Sequence, residues 1–330
     1  MIYIRSCSND ACFNMALDEY AVKSLPAGDE YFIIYQNSPS VIVGKNQNTI
    51  EEVNLDYVKE HGIAVVRRLS GGGAVYHDLG NINFTFVVDY RKEDFNSIER
   101  FAKAVVRALD KLGISAEFSG RNDITIEGKK ISGNAQYLSR RRLLHHGTLL
   151  FDSDLTVLSK ALNVKADKIT SKGVKSVKSR VGCIKDFLSQ DVKVEEFIQL
   201  LIKNIFEVEQ SSFTEHVLTP DEIEDINKLR DEKFATWNWN FGYSPEFELE
   251  RSNRFEGGLV QAKMNVKDGA LKEIKFYGDF MSKRDVAEVE QRLKGLDYRE
   301  EAISEVLSGV NFEDYFGSID VMDLVKLIIK

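Results

Sequence analysis

The chain has 330 residues, 43% hydrophobic and 29% charged, enough for about two domains, each with a core and a wettable surface. A formal net charge of -8 argues against a general nucleic-acid binder, and apolar runs such as FIIY and VIV are far shorter than the roughly 20 residues that span a bilayer. The polar start MIYIRSCSND does not read as a signal peptide, so a cytoplasmic protein is expected, with neither nucleic acid nor membrane as partner.

In chain order, the spacing of Phe13, Ala16, Leu17, Tyr20 and Ala21 predicts a helix over residues 13–25. Residues 31–35 and 40–43 read as two short strands around a turn at 37–39, and 64–68 and 82–88 as two more. Ile98, Phe101, Ala102, Val105, Leu109 and Leu112 form a helical stripe that Gly113 stops. Residues 123–127, 130–138 and 143–151 read as an antiparallel meander with a tight turn at Gly128 and Lys129, followed by a helix over 155–162. A boundary is expected after the aromatic run WNWNFG, dividing the chain into 1–244 and 245–330. In the second part, strands at 246–251, 258–266 and 270–276 precede helices at 283–293, 299–307 and 319–329. Strands in runs, interrupted irregularly by helices, predict an α+β fold rather than a doubly wound parallel sheet, with a small second α+β domain.

Three stretches could carry chemistry. The first, RRLSGGGAVYHDLGN, places Gly71, Gly72 and Gly73 after Arg67 and Arg68. Three residues without Cβ allow positive φ and close approach of a ligand, and their N–H groups can form an anion-binding nest. Neighbouring strand residues face opposite sides, so one of the two arginines should face a site, where it could clamp an anion. The run is neither a Walker A nor a dinucleotide fingerprint, and alone it also fits a flexible surface turn. The second stretch is GRNDITIEGKKISGNAQYL, where alternation puts Lys130, Ser132 and Asn134 on one face and Ile131, Gly133 and Ala135 on the other. That polar face suits a lined pocket or an exposed edge. Asp123 beside Asn122 could hold Mg²⁺ or cap a turn. The third stretch, residues 165–185, is strongly basic and could close over a nucleotide, greet an acidic partner, or form a solvated face. His77 and His146 read as hydrogen-bonders rather than metal ligands. Cys7, Cys12 and Cys183 lack ligand spacing and read as inert thiols.

Taken together, the blocks RRLSGGGAVYHDLGNINFTF, SGRNDITIEGKKISGNAQ, HHGTLLFD, KGVKSVKSRV and WNWNFG resemble, in order, those of the lipoate–protein ligase A family. The resemblance runs from about Asn14 to the end of the large domain, and a C-terminal accessory domain like that of the bacterial ligases follows. It implies a biotin/lipoate protein ligase-like catalytic domain, a mixed sheet with flanking helices. It implies ATP, Mg²⁺ and lipoate as ligands, and a lipoyl-AMP intermediate. By the same resemblance Lys130 contacts both lipoate and ATP and is the catalytic lysine, and Arg68 binds nucleotide or phosphate. Ser70 and Gly71 sit beside the lipoyl group, with Gly72 in the loop that covers it. Gly73, Ala74, Val75 and Tyr76 hold the nucleotide, and His77 is counted with them. Asn122, Asp123, Ser132 and Gly133 complete the site, with Asp123 as metal ligand. Lys172 and Arg180 serve the adenylate, and Lys165 and Lys168 are free for the acceptor. Leu69 replaces a residue that is often small and polar in the family. The implied acceptors are lipoyl domains of 2-oxoacid dehydrogenases or the glycine-cleavage carrier protein. A lipoyl or octanoyl transferase that uses Cys183 and no ATP, and a non-catalytic lipoate sensor, are the alternatives.

Overall fold

The computed structural model describes residues 1–91, 98–120, 122–163, 181–209, 212–241, 249–267 and 269–329. Strands β1 (Ile2–Arg5) and β2 (Tyr31–Tyr35) run parallel, joined through helix α1 (Ala11–Lys23). Asp10 starts that helix by accepting from the Cys12 amide at 2.8 Å. β3 (Ser40–Val43), β4 (Ala64–Arg67) and β5 (Val75–His77) form a separate three-stranded sheet in the order β4-β3-β5. The two runs flanking residues 37–39 therefore do not make a hairpin. Both are buried along their whole length, so each needs covering on two faces, and they meet this need in different sheets.

The main sheet continues with β6 (Asn81–Asp89), helix α2 (Ile98–Asp110), and β7 (Glu117–Ser119), β8 (Asp123–Ile126), β9 (Lys129–Ser139) and β10 (Arg142–Leu150). Helix α3 (Val194–Val208), edge strand β11 (Thr214–Glu215) and helix α4 (Pro220–Leu229) complete it, in the order β11-β1-β2-β6-β10-β9-β8-β7. Parallel pairs at one end and antiparallel pairs elsewhere make it a mixed sheet. Alternation along β2 builds both faces. Phe32 and Ile34 enter the core under α2 and α3, while Ile33 and Tyr35 enter the core with α1 and the small sheet.

The tight turn between β8 and β9 is Glu127–Gly128, one residue earlier than the spacing predicts. Both residues have positive φ, 51° and 75°, as a two-residue hairpin loop demands. Next to it the register skips: Thr125 pairs with Lys130, but Ile124 pairs with Ser132. Ile131 is thus the extra residue of a bulge and drops into the core.

The C-terminal part has its own meander, β12 (Leu249–Phe255), β13 (Gly258–Lys267) and β14 (Ala270–Gly278), under helices α5 (Ala287–Leu293), α6 (Glu300–Ser308) and α7 (Val321–Ile329). Its core, with Met264, Phe276, Phe280, Phe316 and Ile328, is separate from those of the large part. The boundary expected at 244/245 falls among residues that are not described. The two parts meet largely through main chain. Gly72 N donates to Phe280 O at 3.2 Å, Gly278 N to Asn46 O at 2.7 Å and Leu138 N to Lys283 O at 3.0 Å. Lys45 and Asp285 add an ion pair at 3.0 Å. Among the described residues no helix is long and apolar enough to cross a membrane.

Candidate active site

A cavity opens between the main sheet and the small sheet. Met15, Tyr35, Ile42, Val75 and Ala135 give it apolar walls. Arg68, His77, Asn83, Asn122, Lys130, Asn134, His146 and Thr148 supply polar groups, and Gly72, Gly73, Ala74, Gly133 and Gly147 bring backbone to its surface. A mostly apolar slot with a few fixed polar groups is the usual form of a site for an amphipathic small molecule.

Lys130 is the cation with reach. Its side chain is about a third exposed and its Nζ lies 2.7 Å from Asp123 Oδ1. A Cβ on Gly133 would lie 3.2 Å from that Nζ, so Gly133 and Lys130 share the cavity face. This corrects the alternation that grouped Lys130 with Ser132: the bulge at Ile131 shifts the parity by one. Ser132 is fully buried outside the cavity wall, where its Oγ accepts from Asn134 Nδ2 at 3.2 Å. Asn122 ties down the same strand by donating to Asn134 O at 2.9 Å. The chain also returns onto Lys130 after residue 180, where Gly182 N donates to Lys130 O at 3.0 Å. Lys172 and Arg180, and with them Lys165 and Lys168, lie outside the described residues.

The two arginines part as the alternation requires. Arg67 turns away and ties down the helical turn Trp237–Asn240, donating to the carbonyls of Trp239 and Asn240 at 3.0 and 3.1 Å and to Thr49 Oγ1 at 2.6 Å. Arg68 lines the cavity, but it is spent on its own loop. Nε donates to Ser70 Oγ at 3.1 Å, Nη1 to Ile42 O at 3.2 Å, and Nη2 to Gly71 O and Gly73 O at 2.7 and 2.9 Å. Of its five donors one is left over. Burial pulls both guanidinium groups down to about 10.

The three glycines do three different things. Gly71 faces the C-terminal part, where a Cβ would come within 2.7 Å of Phe280 O and Ser282 N. Gly72 has φ of +91°, and Gly73 has open space beside it. Ala74 and Val75 follow on the cavity wall, while Tyr76 is buried in a small cluster with Val41 and Val43.

His77 is fully buried on the cavity wall, and desolvation lowers its pKa to about 3. Asn37 Oδ1 accepts from Asn14, so Asn37 Nδ2 is the group that meets His77 Nδ1, at 3.0 Å. The proton then sits on Nε2, which has no hydrogen-bond partner among the described residues. The ring stands as a neutral group beside the cavity.

The sequence reading missed Met15, Tyr35, Ile42, Asn83, Gly147 and Thr148 on the cavity wall, took His146 there only for a structural hydrogen-bonder, and missed Asp18 behind it. Helical spacing marked the α1 residues only as core, and nothing local distinguishes a core Tyr or Asn from one beside a ligand. Cys183 is not on the wall. It donates to Ser153 O at 3.4 Å, and burial pushes its thiol up to about 11. Among the described residues no group of three or more His, Cys, Asp or Glu could cage a metal. A lone Asp123 carboxylate still fits Mg²⁺, which takes one or two carboxylates and fills its octahedron with water and substrate phosphates.

The family model for the lipoyl protein ligase A/B catalytic domain matches residues 10–206, and that for the bacterial lipoate protein ligase C-terminus matches 244–328. A lipoate–protein ligase of Bacillus subtilis is 46% identical over 321 residues, covering 97% of each chain. Lipoate–protein ligase 1 of Staphylococcus aureus is also 46% identical, over 319 residues and 97% of each. Plasmodium falciparum LipL1, solved with lipoate, superposes with a TM-score of 0.83 at 26% identity, covering 99% of both chains. A lipoate–protein ligase A solved with ATP gives 0.64 at 33% identity, over 73% of this chain and 97% of the other. An archaeal bi-partite ligase from Thermoplasma acidophilum, studied with its E2 lipoyl domain, gives 0.66 at 34%, over 75% and 98%. Matched along nearly its whole length in both sequence and fold, the chain belongs to the lipoate–protein ligase family.

Proposed function

We propose that this chain is an ATP-dependent lipoate–protein ligase, which joins lipoate to AMP and then transfers the lipoyl group to a lysine of a lipoyl-domain acceptor. The observation that carries the reading is one ammonium with reach, Lys130, on the wall of a cavity that also has an apolar side made by Met15, Tyr35, Ile42, Val75 and Ala135. An apolar acyl chain fits the walls, and its carboxylate needs a cation where it leaves them.

In the first step the lipoate carboxylate attacks the α-phosphorus of ATP and pyrophosphate leaves. Two anions must meet, so the barrier is largely electrostatic. Lys130 releases Asp123 and bridges the carboxylate and the α-phosphate. Arg68 orders Gly71 and Gly73, which lets the stretch from Gly73 to Tyr76 present backbone to the adenylate. His77 adds a neutral group that needs no counter-ion. Asp123, with Asn122 beside it, would hold Mg²⁺, which when bound neutralises charge on the departing pyrophosphate. Lys172 and Arg180 are the residues we expect to serve the adenylate.

In the second step the neutral acceptor amine attacks the acyl carbon, an amide forms and AMP departs. No enzyme nucleophile is needed. The Cys183 thiol, pushed up to about 11, makes a poor thiolate, which weighs against the transferase reading. Lipoyl domains of 2-oxoacid dehydrogenases and the glycine-cleavage carrier protein are the acceptors we expect, in the cytoplasm. The test is lipoate-dependent release of pyrophosphate from ATP. A ligase shows it, whereas a transferase or a sensor releases none, and that result would end the proposal.

A further inference from the structure

Behind the cavity wall, one chain of hydrogen bonds runs from α1 to the glycine loop. Asp18, 2% exposed, receives Tyr35 Oη at 3.2 Å and Thr85 Oγ1 at 2.8 Å. Its Oδ2 lies 2.9 Å from His146 Nδ1. His146 Nε2 lies 2.6 Å from Ser70 Oγ, and Ser70 Oγ accepts from Arg68 Nε at 3.1 Å. The directions of these bonds follow from their ends. A carboxylate only accepts, so His146 donates from Nδ1, and in the neutral ring Nε2 must then accept. A guanidinium only donates, so the Ser70 hydroxyl spends its proton on His146. The same guanidinium holds Gly71 O and Gly73 O, which fixes the loop.

Serine, histidine and aspartate in this order have the geometry of a nucleophilic triad. A nucleophile must reach its substrate, however. Ser70 is fully buried and absent from the cavity wall, whereas His146 is on it. The arrangement therefore sets position rather than attacking.

We infer that Asp18 is a positioning residue for lipoate: acting through His146 and Ser70 it sets the imidazole tautomer and, with Arg68, the shape of the loop beside the acyl chain. This rests on the ligase reading above. Each bond along the chain leaves its neighbour one choice of donor, so an error at Asp18 propagates to the glycines. Asn in place of Asp18 can present an N–H to His146 Nδ1. The ring would then shift its proton to Nε2, and Ser70 Oγ would face two donors with its own proton displaced.

The test compares the wild type with Asp18→Asn in steady-state pyrophosphate release and in ¹⁵N spectra of the histidine rings. Wild-type His146 should show the Nδ1–H tautomer and the variant Nε2–H. The KM for lipoate should rise about tenfold, the loss of one hydrogen bond to a charged group. The KM for ATP should rise less than that for lipoate, because the nucleotide also meets Lys130 and Asp123, which lie outside this chain of bonds. Ser70→Ala cuts the chain at its other end with little change of volume, and should raise the lipoate KM in the same way even if Asp18→Asn does not fold. In the double variant the two effects should not add. An unchanged lipoate KM in Ser70→Ala, equal rises for lipoate and ATP, or full additivity would overturn the inference. Absence of lipoate-dependent pyrophosphate release from the wild type would instead overturn the ligase reading beneath it.

Discussion

Lys130 and Asp123 meet at 2.7 Å with about a third of each side chain in solvent, so their pairing stabilises the fold by less than about 1 kcal/mol. The ammonium can leave that partner at little cost, which a group that must bridge two substrates requires. Lys130→Ala should therefore fold normally and lose at least about 100-fold in lipoyl-AMP formation, the scale of one missing electrostatic donor. Near wild-type adenylation by a folded variant would remove Lys130 from the mechanism. His77 differs because it is locked in. Its pKa falls from 6.5 in the unfolded chain to about 3, so its contribution to stability is complete above pH 6.5 and is lost as pH drops toward 3. Between pH 7 and pH 5 that loss is about 2 kcal/mol, and fully buried His145, also shifted down, adds to the same trend. In His77→Gln the difference in urea-unfolding free energy between those two pH values should shrink by about 2 kcal/mol; an identical acid slope would mean the ring protonates in place. Lys130 was legible in the sequence through the family block GKKISGNAQ that carries it. Asp18 was not, since its partners come from residues 35, 85 and 146, and only folding makes them neighbours.

At the scale of the element, the glycine loop has separate reasons for lacking side chains at three consecutive positions. Gly71 admits backbone of the other domain, Gly72 takes φ of +91°, and Gly73 is unobstructed. Alanine should therefore act differently at each. Gly72→Ala should lower stability by about 1–2 kcal/mol through strain at positive φ. Gly71→Ala should weaken the docking of the C-terminal domain, read as faster proteolysis of the linker, while the large domain keeps its own unfolding transition. Gly73→Ala should leave stability within about 0.5 kcal/mol of wild type, the range for a site away from any such feature. Equal losses at all three would mean the run is one flexible turn. The sequence showed that side chains were unwelcome here but not what took their place. It missed the bulge at Ile131 for a similar reason: strict alternation is the default, and the extra residue is fixed by the Glu127–Gly128 turn and by an apolar core that claims Ile131. A helix with a single apolar face, such as α2, was legible because period alone marks it. The exchange between sheets at β2 and β3 was not, because strands buried on both faces carry no alternation.

On the scale of the whole molecule, cores that do not mix allow the large domain to stand alone, and every described wall residue of the cavity belongs to it. A chain ending at residue 243 should fold, bind preformed lipoyl-AMP, and make it at least about tenfold more slowly, because Gly72 and Leu138 lose the carbonyls that hold them. A soluble, folded truncation with no affinity for the adenylate would refute this division of labour. The contact that is lost has an unusual authorship. Gly72 to Phe280, Asn46 to Gly278 and Leu138 to Lys283 are bonds between peptide groups, which every residue except proline carries. Truncating the Leu138 or Lys283 side chain leaves their bond in place, whereas at Gly72, with φ of +91°, and at Gly278, where a Cβ would lie 1.9 Å from Leu259 O, an alanine reports strain rather than the bond. The strength of these bonds becomes measurable through chemistry that edits the main chain itself, such as replacing the Gly72 or Gly278 amide with an ester, which deletes one N–H and weakens the preceding carbonyl as an acceptor.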